Sequence, residues 1–554
     1  MTTWGQSRTT APFYWRLGIL GIAGLLALPV IAVSSYGFLP AGEVWQHLAN
    51  TVLTDYIINS LLLMLEVALG TLLLGVSTAW LTTMCRFPGR RIFEWALLLP
   101  MAMPAYIIAY TYTGMFDVAG PIQSSLRDWL GLQYGEYWFP EIRSLWGAGV
   151  MLSLTLYPYV YLLSRAAFLD QSVCVLEVSR SLGNGPWRTF FRVALPLARP
   201  AVVAGLSLAL METLADYGTV QYFGIATFTT GIFRTWFGMD DSAAAAQLST
   251  ALLLFVFTLI LLERWSRRKM RYHHSGQRHQ SLPGFILQRH QKIGAILICS
   301  STLFLGFLLP AAQLAYWAVK THEMIDADFL RLTLNTVGLA SGTAVLALLM
   351  ALLMGYGKRL SPDKATLSAV RIAGMGYAVP GTVIAVGVML PLAWLDNSID
   401  SWMRTHFGIP TGLLLSGTLV ALVFAYLVRF LAVSLQTVEA GLGKIKQTID
   451  ESARTLGAKP GQVLRRIHLP MLKGSLLTAL LLVFVDVMKE LPATLVLRPF
   501  NFNTLAVRAF ELASDERLMD SASAALMIVL AGIIPVTLLS RSIRNSRDKH
   551  DTPT

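Results

Sequence analysis

Apolar runs long enough to cross a bilayer recur along the whole chain and restrict it to a bundle of membrane helices. A hydrocarbon core about 30 Å thick requires roughly 20 apolar residues per helix. Only 14% of the 554 residues are charged, against about 25% in soluble proteins. The predicted fold class is therefore an all-α polytopic membrane protein with twelve transmembrane helices. The runs lie near residues 15–37, 57–85, 92–118, 144–166, 197–222, 244–262, 293–319, 334–357, 370–395, 412–437, 471–496 and 521–540.

The distribution of basic residues predicts the orientation, because Lys and Arg are retained on the cytoplasmic side. With the N-terminus inside, 33 of the 44 Lys and Arg fall on the cytoplasmic side, 9 in external loops and 2, Arg429 and Lys489, within spans. Both termini are thus predicted to be cytoplasmic, and the first span to be a retained anchor. The net charge of +12 fits this topology and contact with anionic membrane lipid, and it does not indicate nucleic-acid binding.

A polar segment of twenty residues occurs twice, 274 positions apart, as EVSRSLGNGPWRTFFRVALP (177–196) and ESARTLGAKPGQVLRRIHLP (451–470). The copies match at eight positions without a gap. We predict a tandem duplication in which residues 1–262 and 293–554 are six-helix repeats. An even number of spans returns the second copy in the same orientation, so the repeats are parallel.

The joint between the repeats, residues 263–292, carries eight Lys and Arg and four His. The histidines lack the paired spacing of metal ligands, so a basic cytoplasmic linker on anionic lipid is predicted. Cys85, Cys174 and Cys299 are isolated and favour buried positions over a redox or zinc role. No stable metal site is predicted.

Each polar segment has the signals for a helix, a tight turn and a second short helix. Gly183 and Gly457 suit the left-handed cap that ends a helix, and Pro186 and Pro460 suit the first position of the next. The Leu-Pro pair that closes each segment is expected to stop the second helix.

A helix of this kind could lie in the lipid interface. The acids Glu177 and Glu451, at fixed distance from the turns, instead favour docking to a cytoplasmic protein, because a docking surface needs a charge to pair and an apolar ridge to bury. We call residues 177–196 and 451–470 the first and second docking segments.

Glu, a Gly six residues on, and Leu-Pro twelve and thirteen residues after that Gly together resemble the EAA loop of permease subunits in bacterial ATP-binding-cassette importers. Glu451-Ser452-Ala453 is close to the family's Glu-Ala-Ala, whereas the first copy departs from it. The resemblance implies a type I importer permease fold in the bacterial inner membrane, with each short helix coupled to an ATPase subunit. The residues implied in ATPase coupling are Glu177, Gly183, Pro186, Glu451, Gly457 and Pro460.

The same resemblance implies two copies of a cytoplasmic ATPase subunit and a periplasmic substrate-binding protein as partners. The sequence contains no G-x-x-x-x-G-K-[ST] motif, whose backbone would cradle nucleotide phosphates. The chain is therefore expected not to be an enzyme and to bind no cofactor, with ATP used by the partner subunits.

Acids inside the spans after the docking segments are costly and mark a pathway or a partner. Glu212 and Asp216 are four residues apart, as are Asp486 and Glu490, and each pair is expected to share a helix face. We predict that the four acids, with Tyr217, line a substrate pathway that favours a cation. The alternative is that they tie spans together, with Lys489 and Arg429 as candidate partners.

Residues 212–238 and 488–506 are similar to the fused permeases of ferric-iron importers. This implies transient contact between Fe(III) and the pathway acids, because Fe(III) is a hard ion that prefers oxygen ligands, and docking of the binding protein on 227–237 and 501–511. Thiamine, polyamine or phosphonate stays open as cargo of the same machine. An ion-driven secondary transporter is the alternative from another class, since repeats and membrane acids occur there too.

Overall fold

The computed structural model describes residues 13–40, 42–169, 171, 179, 181–183, 185–267, 285–321 and 326–551. Helices dominate these ranges, which confirms the all-α membrane class. Hydrocarbon offers a peptide group no hydrogen-bond partner, so spanning segments bond internally as helices. Glu177 and most of the basic linker, residues 268–284, lie outside the described residues.

The helices of the first half are Phe13–Tyr36, Glu43–Thr51, Leu53–Met84, Arg90–Ala96, Ala105–Phe116, Pro121–Leu130, Leu145–Leu169, Pro186–Thr189, Leu195–Ala215, Gly218–Tyr222, Phe228–Phe233 and Ser242–Arg267. Those of the second half are Arg289–Leu303, Leu309–Lys320, Ala327–Leu360, Lys364–Ala373, Gly381–Phe407, Leu419–Gly443, Gln447–Thr455, Pro460–Val463, Leu469–Met488, Pro492–Leu497, Leu505–Ser514 and Ala522–Asp551. Short 3-10 turns occupy Leu99–Ala102 and Gly376–Ala378, and π-helical turns occupy Phe190–Ala194, Arg234–Gly238, Phe304–Leu308 and Leu464–His468. Cys85–Arg86 and Phe285–Ile286 form a two-residue parallel ladder.

The predicted count of twelve spans is not confirmed. Among the described residues, ten helices are long and apolar enough to cross a membrane, or eleven if one bent pair is a single span. The bent pair is Arg90–Ala102 with Ala105–Leu130, which turns by 91° at Met103 and Pro104. Pro104 has an extended backbone (ψ 144°), and proline has no N–H to continue a helix. The last run contributes the shorter apolar stretch Ala522–Leu538.

One compact unit comprises Met1–Pro40, Asp241–Thr250 and Ala327–Val507. Its centre is the mutual packing of three helices, Ala327–Leu360, Leu419–Gly443 and Leu469–Met488. The Phe13–Tyr36 helix packs on Gly381–Phe407 within the same unit.

The other compact unit comprises Ala41–Asp240, Ala251–Asp326 and Arg508–Thr554. Leu53–Met84 and Leu145–Leu169 make its most extensive contact, and Leu195–Ala215 packs against both. Leu309–Lys320 and the start of Ala522–Asp551 pack together in this unit.

The compact units therefore do not coincide with the two repeats. The first span of each repeat belongs to the unit built mainly from the other repeat, as Phe13–Tyr36 and Leu309–Lys320 illustrate. An apolar helix in lipid has no hydrophobic preference for its own repeat, so close packing decides its neighbour. The repeat boundaries at residues 262 and 293 stay a prediction from sequence.

Gly75 should be sensitive to size, because a Cβ there would lie 2.7 Å from Val160 Cβ and 2.9 Å from the Tyr157 carbonyl oxygen. We expect Gly75→Leu to lower the free energy of unfolding by about 1–3 kcal/mol through overpacking. Gly338→Leu is the matched control, because a Cβ at Gly338 meets nothing within 4 Å. Denaturant unfolding of the purified chain measures both, and equal stabilities would contradict this packing.

Candidate functional site

The backbone of the second docking segment follows the predicted pattern up to its second helix. Gln447–Thr455 is helical, and Gly457 follows with φ +81°. The Gly457 N–H donates to the Arg454 carbonyl at 2.9 Å, and the Ala458 N–H to the Ala453 carbonyl at 3.0 Å. These bonds satisfy carbonyls that a helix end leaves open, and Pro460 begins the next helix as predicted.

The expectation that Leu-Pro stops the short helix is wrong. Pro460–Val463 continues through the π-helical turn Leu464–His468 into Leu469–Met488, giving one apolar helix of 29 residues, Pro460–Met488. In that turn the Leu469 N–H donates to the Leu464 carbonyl, five residues back. The wider turn accommodates Pro470, whose ring would clash with a carbonyl of a regular α-helix.

The first docking segment shows the same features where the structure describes it. Gly183 has φ +77°, and a helix begins at Pro186. A π-helical turn, Phe190–Ala194, again precedes Leu195-Pro196, and the helix runs on to Ala215. Glu177 lies outside the described residues.

The turns of both segments present apolar side chains to the surroundings. Leu182 is 74% exposed and Leu456 is 88% exposed, each one residue before the glycine. Glu451 is exposed on the preceding helix. An exposed apolar tip beside a charge can dock in a cleft of another protein.

In the second half the acids are ion-paired. Glu490 is buried, and its Oε2 accepts from Arg429 Nη1 at 2.8 Å, while its Oε1 accepts from the Ala493 N–H at 3.0 Å. Asp486 pairs with Lys489 at 2.8 Å. The Arg429–Glu490 contact joins two helices, as the alternative expects, whereas Asp486 and Lys489 are three residues apart at the end of one helix.

In the first half Asp216 accepts hydrogen bonds from uncharged groups. Its carboxylate takes the Thr219 N–H at 3.0 Å, the Thr219 hydroxyl at 3.0 Å and the Val220 N–H at 3.2 Å. The neighbouring Tyr217 is buried and stacks on Phe233, with ring centroids 3.8 Å apart. Asp216 thus caps the short helix Gly218–Tyr222, as Glu490 caps Pro492–Leu497.

The expectation that each acid pair shares a helix face is wrong. The span helices end at Ala215 and Met488, so Asp216 and Glu490 lie beyond them. The backbone at Asp216 is extended (ψ 132°), and its side chain stabilises the break instead of following the helical period. Whether these acids contact cargo stays a prediction.

Of the two segments suggested for docking of a binding protein, 227–237 is largely buried and 501–511 is buried at its centre. Phe228, Thr229 and Ile232 are at most 2% exposed, and Leu505–Val507 is fully buried. Most of 227–237 is therefore inaccessible to a binding protein. In 501–511, Asn501 is exposed and about half of the residues are half-buried, so docking at that segment stays a prediction.

An ion pair that the sequence did not indicate joins two connecting segments of one compact unit. Arg143 donates to both carboxylate oxygens of Glu516, at 2.8 and 2.9 Å, and its guanidinium lies 5.0 Å from the Tyr222 ring centroid. The hydrogen bonds from Arg143 hold the pKa of Glu516 below its usual range. The two residues are 373 positions apart, so no local pattern could pair them.

In the described ranges no group of three or more His, Cys, Asp or Glu is placed to hold a metal ion.

Comparison with known sequences gives a family match over most of the chain. The sequence model of the family described as binding-protein-dependent transport system inner membrane component matches residues 45–272 and 344–548. The Fe(3+)-transport system permease protein FbpB 2 of Haemophilus influenzae is 27% identical over 541 residues, covering 96% of this chain and 98% of the relative.

Shorter relatives match part of the chain. The molybdenum transport system permease protein ModB of Escherichia coli is 26% identical over 39% of this chain and 96% of its own length. The sulfate transport system permease protein CysT of Escherichia coli is 27% identical over 48% of this chain and 97% of its own length.

Replacing Arg429 tests how much the buried Glu490 carboxylate depends on the Arg429 guanidinium for the stability of the fold. We expect Arg429→Leu to destabilise the chain by about 3–5 kcal/mol, because the Glu490 carboxylate is then buried without that guanidinium. The double variant Arg429→Leu with Glu490→Gln should recover much of the loss. Denaturant unfolding of the purified variants measures the coupling.

Lys489→Leu is the control, because it breaks a more exposed pair and should cost about 0–1 kcal/mol. Strictly additive effects of the Arg429 and Glu490 substitutions would contradict the pairing.

Proposed function

Because the chain belongs to the family of binding-protein-dependent transport system inner membrane components, we propose that it is the permease subunit of an ATP-driven importer of ferric iron. A periplasmic binding protein delivers the cargo, and two ATPase subunits dock on residues 177–196 and 451–470 from the cytoplasm. The chain crosses the inner membrane with both termini cytoplasmic. It contributes the pathway and leaves hydrolysis to its partners.

The observation that carries this proposal is the pair of docking segments, each joined by one helix to an acid at a break in the membrane region. Trp187–Ala215 and Pro460–Met488 are each 29 residues long, or about 43 Å at 1.5 Å per residue. Asp216 follows the end of the first helix, and Asp486 lies in the last turn of the second. A displacement at either docking segment is therefore carried along a continuous hydrogen-bonded rod to an acid.

Alternating access follows from that connection. ATP binding draws the ATPase subunits together, and the docked helices move with them, closing the inner ends of the spans and opening the outer ends. Hydrolysis releases the helices and reverses the change. Glu451 and Leu456 hold the ATPase, Gly457 fixes the turn that follows them, and the long helices transmit the motion.

The cargo is proposed from the extent of similarity and from charge. The ferric relative aligns along nearly all of this chain, whereas the molybdenum and sulfate relatives align with less than half. Glu490 and Asp486 are balanced by Arg429 and Lys489, but the hydrogen bonds to Asp216 come from neutral groups. Asp216 is therefore the acid proposed to contact the cation, through weak exchangeable contacts that allow conduction.

Substitution at the second docking segment should uncouple transport. We expect Glu451→Ala with Gly457→Val to reduce iron uptake by about fivefold or more, the lower range of typical coupling factors. Glu451 and Gly457 are exposed, so membrane insertion should be unchanged. Uptake of radioactive iron, with the chain quantified in membranes, measures the effect.

Gln447→Ala is the matched control, since it is exposed on the same helix as Glu451 and lies away from the turn. Normal iron uptake in the Glu451 and Gly457 double variant would refute coupling through this segment. Capture of an ATPase subunit by the purified chain distinguishes the importer from a secondary transporter, which would instead show proton-dependent uptake alone.

Neutralising Asp216 tests the cargo contact. We expect Asp216→Asn to lower iron uptake by about tenfold, which corresponds to roughly 1.4 kcal/mol in the transport barrier, while molecules of ATPase bound per chain stay the same. Asp128→Asn, an exposed acid on Pro121–Leu130, is the control. Unchanged iron uptake in Asp216→Asn would remove this acid from the pathway.

A further inference from the structure

A buried carboxylate, that of Asp450, lies immediately before the second docking segment and holds together the two helices that flank the Gly457 turn. Asp450 lies on the helix before the turn, and His468 lies in the π-helical turn after it. Asp450 Oδ1 is 2.7 Å from His468 Nε2, and the His468 side chain is fully buried. The contact therefore closes the segment on itself across Gly457.

Arg359 ties this closed segment to the neighbouring span. Its Nε donates to Asp450 Oδ2 at 2.6 Å, and both side chains are 11% exposed. Its Nη1 donates to the Leu442 carbonyl at 2.6 Å and its Nη2 to the Ile445 carbonyl at 2.8 Å. One guanidinium thus joins the end of Ala327–Leu360, the end of Leu419–Gly443 and the docking segment.

Tyr356 adds a second tie, one turn before Arg359. Its hydroxyl donates to the Pro460 carbonyl at 2.8 Å, at the start of the long helix. Its ring packs edge-on against His468, with centroids 5.2 Å apart. The helices before and after the Gly457 turn therefore both contact the last two turns of the Ala327–Leu360 span.

The first half uses different chemistry at the equivalent places. Upstream of the docking segments the repeat offset is 276 residues, as in Pro104 and Pro380, so Tyr356 corresponds to Trp80 and Arg359 to Thr83. At the offset of 274, His468 corresponds to Ala194. There Trp80 packs on Phe190 and Phe168, with ring centroids 5.0 and 5.6 Å away. Aromatic pairs accept a range of offset and tilted arrangements, whereas the guanidinium fork requires acceptors at defined distances and angles.

We propose that Arg359, Asp450, His468 and Tyr356 form a positioning clamp that makes the second docking segment move as one body with the Ala327–Leu360 span. Without it, movement of a docked ATPase bends the segment at Gly457 and is lost before it reaches the membrane. These are positioning residues, since none of them needs to touch cargo or nucleotide. The inference rests on the proposed ATPase coupling.

Arg359→Lys tests the clamp in the full complex reconstituted in proteoliposomes. Lysine keeps the charge opposite Asp450 but cannot also serve the Leu442 and Ile445 carbonyls. We expect ATP hydrolysed per iron ion transported to rise by about fivefold or more, and amide exchange in residues 447–468 to accelerate, because local opening becomes easier. Capture of the ATPase subunit should persist. Tyr356→Phe should raise the ATP consumed per iron ion and the rate of amide exchange, each by less than Arg359→Lys does. It replaces Arg359→Lys as the test if that variant fails to assemble.

Lys358→Gln is the matched control. Lys358 is the preceding residue and pairs with Glu439 at 2.8 Å, outside the docking segment, so its loss should change neither readout. If Arg359→Lys exchanges its amides faster but hydrolyses the same amount of ATP per iron ion, the clamp does not couple ATP hydrolysis to transport. If amide exchange in Arg359→Lys is unchanged, these four residues do not hold the segment rigid. If the wild-type chain captures no ATPase subunit, the proposed function fails instead, a result independent of the exchange measurement.

Discussion

A peptide group in hydrocarbon has no water to bond, and each place where a span is interrupted must supply its own hydrogen-bond partners. The breaks after Ala215 and Met488 satisfy this constraint with carboxylates. Asp216 accepts the Thr219 and Val220 N–H groups of Gly218–Tyr222, and Glu490 accepts the Ala493 N–H of Pro492–Leu497. Asp216 and Glu490 therefore have a structural role in addition to any role in transport, because losing either one leaves buried N–H groups without acceptors.

The two repeats meet the same mechanical requirement with different chemistry. Glu490 has a buried arginine, whereas Asp216 has a threonine and backbone N–H groups. The second docking segment is held by ionic hydrogen bonds and the first by tilted aromatic contacts with Trp80. Both segments have a glycine with positive φ followed by a helix that begins at proline, whereas the side chains that anchor them differ.

Prediction from sequence succeeded where backbone chemistry decides the outcome and failed where a residue had two admissible roles. Gly457 and Pro460 lie in the predicted conformations, since few residues tolerate φ near +80° or lack an N–H. Pro470 was expected to stop a helix, but the preceding π-helical turn accommodates it. Asp216 was assigned to the same helix face as Glu212, and Glu490 to that of Asp486, because each pair is four residues apart. The helices end at Ala215 and Met488, before the second acid of each pair.

The sequence by itself determined that this chain is a duplicated set of membrane helices with a polar Gly and Pro turn segment in each repeat. Hydropathy, the 274-residue offset and the Gly and Pro positions are local or periodic signals, readable without contacts. Tertiary structure alone decided which span packs with which repeat, how the acids are paired, and that Arg359 holds Asp450. The Arg429–Glu490 and Arg359–Asp450 pairs join residues 61 and 91 positions apart. They depend on close packing and on the geometry of single side chains, which no sequence period encodes.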